Sequence, residues 1–160
     1  MLPPMFAKLE KITELKLDWS GLKKDHIESF SYMLNLVVLV LTGAYDGERL
    51  NFHAKWFPKL NLLQLADMEH LNRIEIEDGS MMCLRELDLV GLRNLNEVPK
   101  GIRYIRTLHE MIITDMPKEF IVKIQGSDRY IVQHVPNIHI FESSDFQAGK
   151  VYQTANYFNK

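Results

Sequence analysis

The chain has 160 residues, 46% of them apolar and 25% charged, with a formal net charge of −2. That length suits one domain with a sizeable core, and that charge excludes the basic excess that holds nucleic acid or an anionic membrane surface. A single cysteine, Cys83, excludes an internal disulfide. The chain also has no N-x-S/T acceptor site, no signal-like apolar stretch in MLPPMFAKLEKI and no clean apolar run longer than Leu36 to Leu41. The expectation is a reducing, cytoplasmic location and no membrane span.

In chain order, one unit keeps returning: apolar-x-x-apolar-x-x-apolar-x-apolar. It occurs at Leu9, Ile12, Leu15, Leu17; at Met33, Leu36, Leu39, Leu41; and at Phe57, Leu60, Leu63, Leu65. It returns at Met81, Leu84, Leu87, Leu89 and at Ile105, Leu108, Met111, Ile113, each copy 24 residues after the last. Chance would fill all these positions with apolar residues roughly once in five million trials at fixed phase and period. A period in the twenties with L-x-x-L-x-L is the leucine-rich-repeat signature. Each x-L-x-L piece predicts a short strand with two leucines inward, and successive strands lie parallel about 4.8 Å apart. The return arm has spacings near three, as loose helix, 3₁₀ turn or extended chain. Leu50, Ile74 and Val98 form one arm column, and Met68, Leu92 and Met116 another. The second arm, TGAYDGERLNFHAKW, reads as a looser loop. The expected fold is α/β: a leucine-rich-repeat solenoid with a parallel sheet on its concave face, about five 24-residue repeats plus a terminal strand.

Residues 1–141 are expected to form the solenoid. Leu2-Pro3 aligns with Val98-Pro99 and Phe6 with Ile102, so the sequence enters partway through a unit and reads as a piece of a longer solenoid. At the other end Arg129 breaks the column, and Val135-x-x-Ile138-x-Ile140 predicts the last strand 27 residues after Leu108. Residues 142–160 read as a tail or a closing flap, with Val151, Tyr152, Tyr157 and Phe158 as its apolar points.

No catalytic or metal constellation emerges. His134 and His139 lack converging partners for zinc, Cys83 lacks a histidine partner, and Glu75, Glu77 and Asp78 fall on a surface instead of a cleft. No enzyme activity, cofactor, metal or small-molecule substrate is expected. The candidate surface is the concave face, where residues between the inward leucines point out. Its columns read Glu14, Val38, Leu62, Glu86, Glu110; then Lys16, Val40, Gln64, Asp88, Ile112; then Asp18, Thr42, Ala66, Val90, Thr114. Val38, Val40 and Leu62 make an apolar middle of the kind that marks contact sites. Beside it Glu86, Asp88 and Glu110 form an acidic patch. The stretch from Asp67 to Glu97 has eight acids and three arginines, a local balance of −5. A protein partner with an apolar knob and a basic rim fits this face.

The run GSMMCLRELDLVGLRNLNEVPKGIRYIRTLHEMIITDMPKEF resembles the final repeats of plant intracellular resistance proteins, the coiled-coil, nucleotide-binding, leucine-rich-repeat immune receptors. The resemblance rests on Gly79, Met81, Leu84 and Leu87; on Leu95, Val98, Pro99, Gly101 and Ile102; on Ile105 and Leu108; and on Met116, Pro117 and Phe120. The closing DRYIVQHVPNIHI resembles the way such chains end. The nucleotide-binding motif G-x-x-x-x-G-K-S/T and the helical signalling domain of that family do not occur in this sequence. For this piece the resemblance implies a protein-contact role in plant defence. The partner would be a pathogen effector, or the receptor's own nucleotide-binding module, which this chain lacks. A generic intracellular repeat adaptor, such as a substrate-binding subunit of a ubiquitin ligase, is the alternative.

Overall fold

The computed structural model of the chain describes residues 9–144. The aligned opening, Leu2, Pro3 and Phe6, and the candidate flap residues Val151, Tyr152, Tyr157 and Phe158 lie outside those residues. The architecture is α/β with mostly parallel strands and few helices. In chain order the strands are β1 (Glu14–Asp18), β2 (Val38–Thr42), β3 (Arg49–Phe52), β4 (Leu62–Ala66), β5 (Arg73–Ile76), β6 (Glu86–Val90), β7 (Glu110–Thr114) and β8 (Asn137–Phe141). Six of them form one parallel sheet in the order β1-β2-β4-β6-β7-β8. A second parallel pair, β3-β5, is built from the return arms. The second arm, expected as a loose loop, therefore contains a strand. Its Leu50 and Phe52 are buried and lie in register with Ile74 and Ile76.

The apolar spacing explains the stack. Leu39, Leu63 and Leu87 are register partners, as are Leu41, Leu65 and Leu89, and all six side chains are buried. The column of Leu50, Ile74 and Val98 is buried as well, so sheet and arms close on one core. A backbone ladder repeats with the same step. The carbonyls of Thr13, Val37, Asn61 and Arg85 each accept two N–H groups from the start of the next strand. At the other end of the strands, Trp19, Gly43, Asp67, Gly91 and Asp115 all adopt left-handed backbone with φ between 49° and 60°. Each donates its N–H to the last strand residue of the next layer: Thr42, Ala66, Val90, Thr114 and Phe141. This turns the chain sharply out of the sheet without leaving an orphan donor. Glycine suits the conformation and aspartate tolerates it. A Cβ at Gly43 would lie 2.3 Å from the Trp19 ring, and one at Gly91 would lie 2.5 Å from the Asp67 carboxylate.

The last step differs. Met111 pairs with Ile138, a step of 27, because the helix Lys118–Gln125 and the short helix Arg129–Val132 replace the usual arm. Phe120, Ile124, Ile131 and Val132 are buried under that layer. Arg129, where the column asks for an apolar residue, sits exposed at the start of the second helix. Gly101 in the P-K-G-I segment has a packing reason: a Cβ there would lie 2.0 Å from the Ile76 carbonyl oxygen. Among the described residues no helix is long and apolar enough to cross a membrane.

Candidate functional site

The outward columns of the six-stranded sheet follow from strand alternation, and each sits in register. Glu14, Val38, Leu62, Glu86 and Glu110 run across β1, β2, β4, β6 and β7 and continue to Asn137 on β8. Lys16, Val40, Gln64, Asp88 and Ile112 run beside them and continue to His139. Phe141 closes the third column next to Thr114. These three β8 residues were readable from the pattern at Val135, Ile138 and Ile140, had the columns been carried across the 27-residue step.

The face changes character along its length. At the β1 edge Glu14 and Lys16 are exposed and pair at 2.6 Å. On β2 and β4, Val38, Val40, Leu62 and Gln64 are half-buried. They form the apolar middle, each still presenting surface. On β6 and β7 the expectation of an open acidic patch needs correction. Asp88 is only 2% exposed and Ile112 only 8%, while Glu86 and Glu110 are half-buried. Asp88 is flanked across the sheet by Gln64 and Ile112, and along its own strand by Glu86 and Val90. Parallel strands about 4.8 Å apart crowd these side chains around the short aspartate.

The electrostatics follow from this crowding. Glu86 and Glu110 are direct register partners, a like-charge pairing that is unfavourable in a sheet. Burial, and then the neighbouring Glu110, raise the Glu86 carboxyl above its ordinary value. Asp88 is pushed up to about 8, first by burial and then by Glu86 and Glu110. Its Oδ1 is buried with no hydrogen-bond partner. An imidazole borders the cluster: His139 Nε2 lies 3.1 Å from Glu110 Oε1. The His139 ring also stacks on Phe141, parallel to within 3°.

Elsewhere, His53 Nδ1 lies 2.9 Å from Glu77 Oε1, and Glu77 also accepts the Ala54 N–H. The backbone bond, then His53, hold the Glu77 carboxyl below its usual value. That pair ties one return arm to the next. His134 Nε2 lies 3.0 Å from the Ile105 carbonyl oxygen. Cys83 is exposed at a turn. Among the described residues no three His, Cys, Asp or Glu side chains are grouped so as to hold a metal ion. A cleft of about 580 Å³ opens on the arm side, lined by Arg49, Arg73, Lys100, Arg103 and Tyr104 among others. Sequence reading missed it because its residues lie in different arms with no shared motif.

No protein-family model matches the chain. Curated relatives do. The chain is 32% identical over 147 residues to the disease resistance RPP8-like protein 3 of Arabidopsis thaliana, a match covering 91% of this chain and 16% of that protein. It is 34% identical over 148 residues to the disease resistance protein RPM1 of the same plant, covering 90% and 16%. It is 36% identical over 145 residues to the disease susceptibility protein LOV1, covering 89% and 16%. The chain thus spans about a sixth of the length of the curated relatives it matches. A match over nine-tenths of this chain cannot rest on scattered leucines, and by it the chain is homologous to a segment of plant disease resistance proteins.

Proposed function

We propose that this chain is a leucine-rich-repeat recognition segment of a plant innate immune receptor, working in the cytoplasm by protein contact and without catalysis. The outward columns of the six-stranded sheet are its contact face. The partner is a pathogen effector or the receptor's own nucleotide-binding module, and contact with the latter would hold the receptor off. The observation that carries this reading is the division of the sheet. Its inward columns are uniformly apolar, buried on β2, β4, β6 and β7 and partly buried on the edge strands β1 and β8, whereas its outward columns present Val38, Val40 and Leu62 half-exposed beside Glu86 and Glu110. Apolar groups left in a cluster with a charged rim are the anatomy of a protein interface.

The experiment is binding of the purified chain to a defined panel: separately expressed nucleotide-binding modules of plant immune receptors, and effector proteins of plant pathogens. Val38→Arg is the probe, because Glu14 beside it receives the new charge. The reading expects an unchanged melting temperature and at least about a tenfold loss of affinity, the effect of truncating or charging a central interface residue. A panel with no binder, or equal binding by the variant, contradicts it.

A further inference from the structure

The outward face carries one arrangement that the contact reading does not account for. Glu86 and Glu110 are register partners on adjacent strands, and Asp88 is one outward position along from Glu86. On a parallel sheet that spacing is about 5 Å across and about 7 Å along. Three carboxyl groups thus border one patch of the face. Asp88 is 2% exposed and keeps a buried Oδ1 without a partner. A buried polar atom left unpaired is costly, so an orphan oxygen in such a cluster marks a place where a donor belongs.

We propose that Glu86, Asp88 and Glu110 form the seat for one arginine guanidinium of the protein partner. This rests on the outward columns being the contact face, and it names the chemistry that the face selects. The three carboxyl groups are not grouped tightly enough to hold a metal ion. A guanidinium is wide and planar, with five donors, and so can bridge acceptors spread over several ångströms where a compact ammonium cannot. The apolar side chains Leu62 and Ile112 flank the seat in register with Glu86 and Asp88. They suit a weakly hydrated planar cation. On its remaining side His139 Nε2 lies 3.1 Å from Glu110 Oε1.

The seat has a proton linkage. The titratable groups facing Asp88 are Glu86 on its own strand, Glu110 on β7 and His139 on β8, while β4 presents only Leu62, Gln64 and Ala66. Free Asp88 titrates at about 8 and so carries a proton at neutral pH. Arrival of the guanidinium stabilises the carboxylate, and the proton leaves to solvent. Affinity therefore rises with pH up to about 8 and levels above it.

The test follows the Asp88 side-chain carboxyl carbon by NMR through a pH titration of the intact chain. The added probes are N-acetyl-arginine amide, N-acetyl-lysine amide or calcium. The arginine amide is expected to lower the Asp88 midpoint by about one unit, the shift a close opposite charge produces. Lysine amide and calcium should move it by less than about a third of that. Asp88→Asn, checked for folding by its melting temperature, should abolish the arginine-dependent shifts at Glu86 and Glu110, and Glu69→Gln, a distant exposed acid, should leave them intact. A midpoint unmoved by arginine amide overturns the proposal, as does an equal response to lysine amide or calcium. If the seat fails in this way while Val38→Arg still abolishes partner binding, the contact face stands and only the guanidinium seat falls.

Discussion

The two faces of the six-stranded sheet obey different rules. Inward, Leu63 and Leu65 repeat Leu39 and Leu41 and are repeated by Leu87 and Leu89, all buried. Outward, the same strands carry Val38, Leu62 and Glu86 in one register column. Each layer can hide its apolar edge only against its neighbour, so the inner side chain must match the one above and the one below. The outer side chain has no such duty. Repetition therefore reports stacking, and departure from repetition shows where the molecule is free to contact something else.

The inner rule breaks most easily. Leu63→Ala leaves a cavity between two layers with fixed spacing and is expected to cost about 4 kcal/mol in urea unfolding. Gly101→Ala should cost about 3 kcal/mol, since its new methyl must displace the Ile76 carbonyl oxygen, 2.0 Å from the ideal Cβ position. A cost near zero at either site would mean the layers are not closely packed.

On the outer face, Asp88→Asn should stabilise the chain. The unfolded carboxyl ionises near its ordinary 3.8, whereas the folded one holds its proton until about 8. Between those values the folded state binds the extra proton, so the aspartate chain loses stability as pH rises from about 4 to about 8. The gain from asparagine is absent below pH 4 and reaches on the order of 5 kcal/mol above pH 8, at about 1.4 kcal/mol for each unit between the two values. Thermal melts at pH 4 and pH 8.5 read the difference, and an asparagine variant less stable than the parent at high pH would count against it. The smallest effect is His139→Ala, below about 1 kcal/mol because the pair with Glu110 is partly open to solvent. Urea unfolding reads the loss, and a cost well above about 1 kcal/mol would contradict it.

Much of the frame was legible because packing writes it into every layer. The inner columns, the parallel order and the last strand at Ile138 and Ile140 follow from spacing alone. So do the outward positions, as alternation requires. What spacing cannot give is burial on the outer face. Asp88 reads as a surface acid, yet its longer neighbours crowd around it and leave it 2% exposed. Nor did spacing give the column of left-handed turns at Trp19, Gly43, Asp67, Gly91 and Asp115. Those residues share a backbone angle and not a side-chain class, so no apolar pattern marks them. The arm strands β3 and β5 carry only two inward residues each, too few for alternation to stand out. The helix Lys118–Gln125 replaces an arm with one of another geometry, and it left only the 27-residue step and the charge of Arg129 in the apolar column as traces.

The stacking itself is tested most directly by backbone NOEs in the isotope-labelled chain. The account predicts cross-strand contacts that join Leu15 to Leu39, Leu39 to Leu63, Leu63 to Leu87 and Leu87 to Met111, all with the parallel pattern. Contacts joining β2 to β4 in antiparallel register, or Leu63 paired with any residue not 24 positions away, would contradict it.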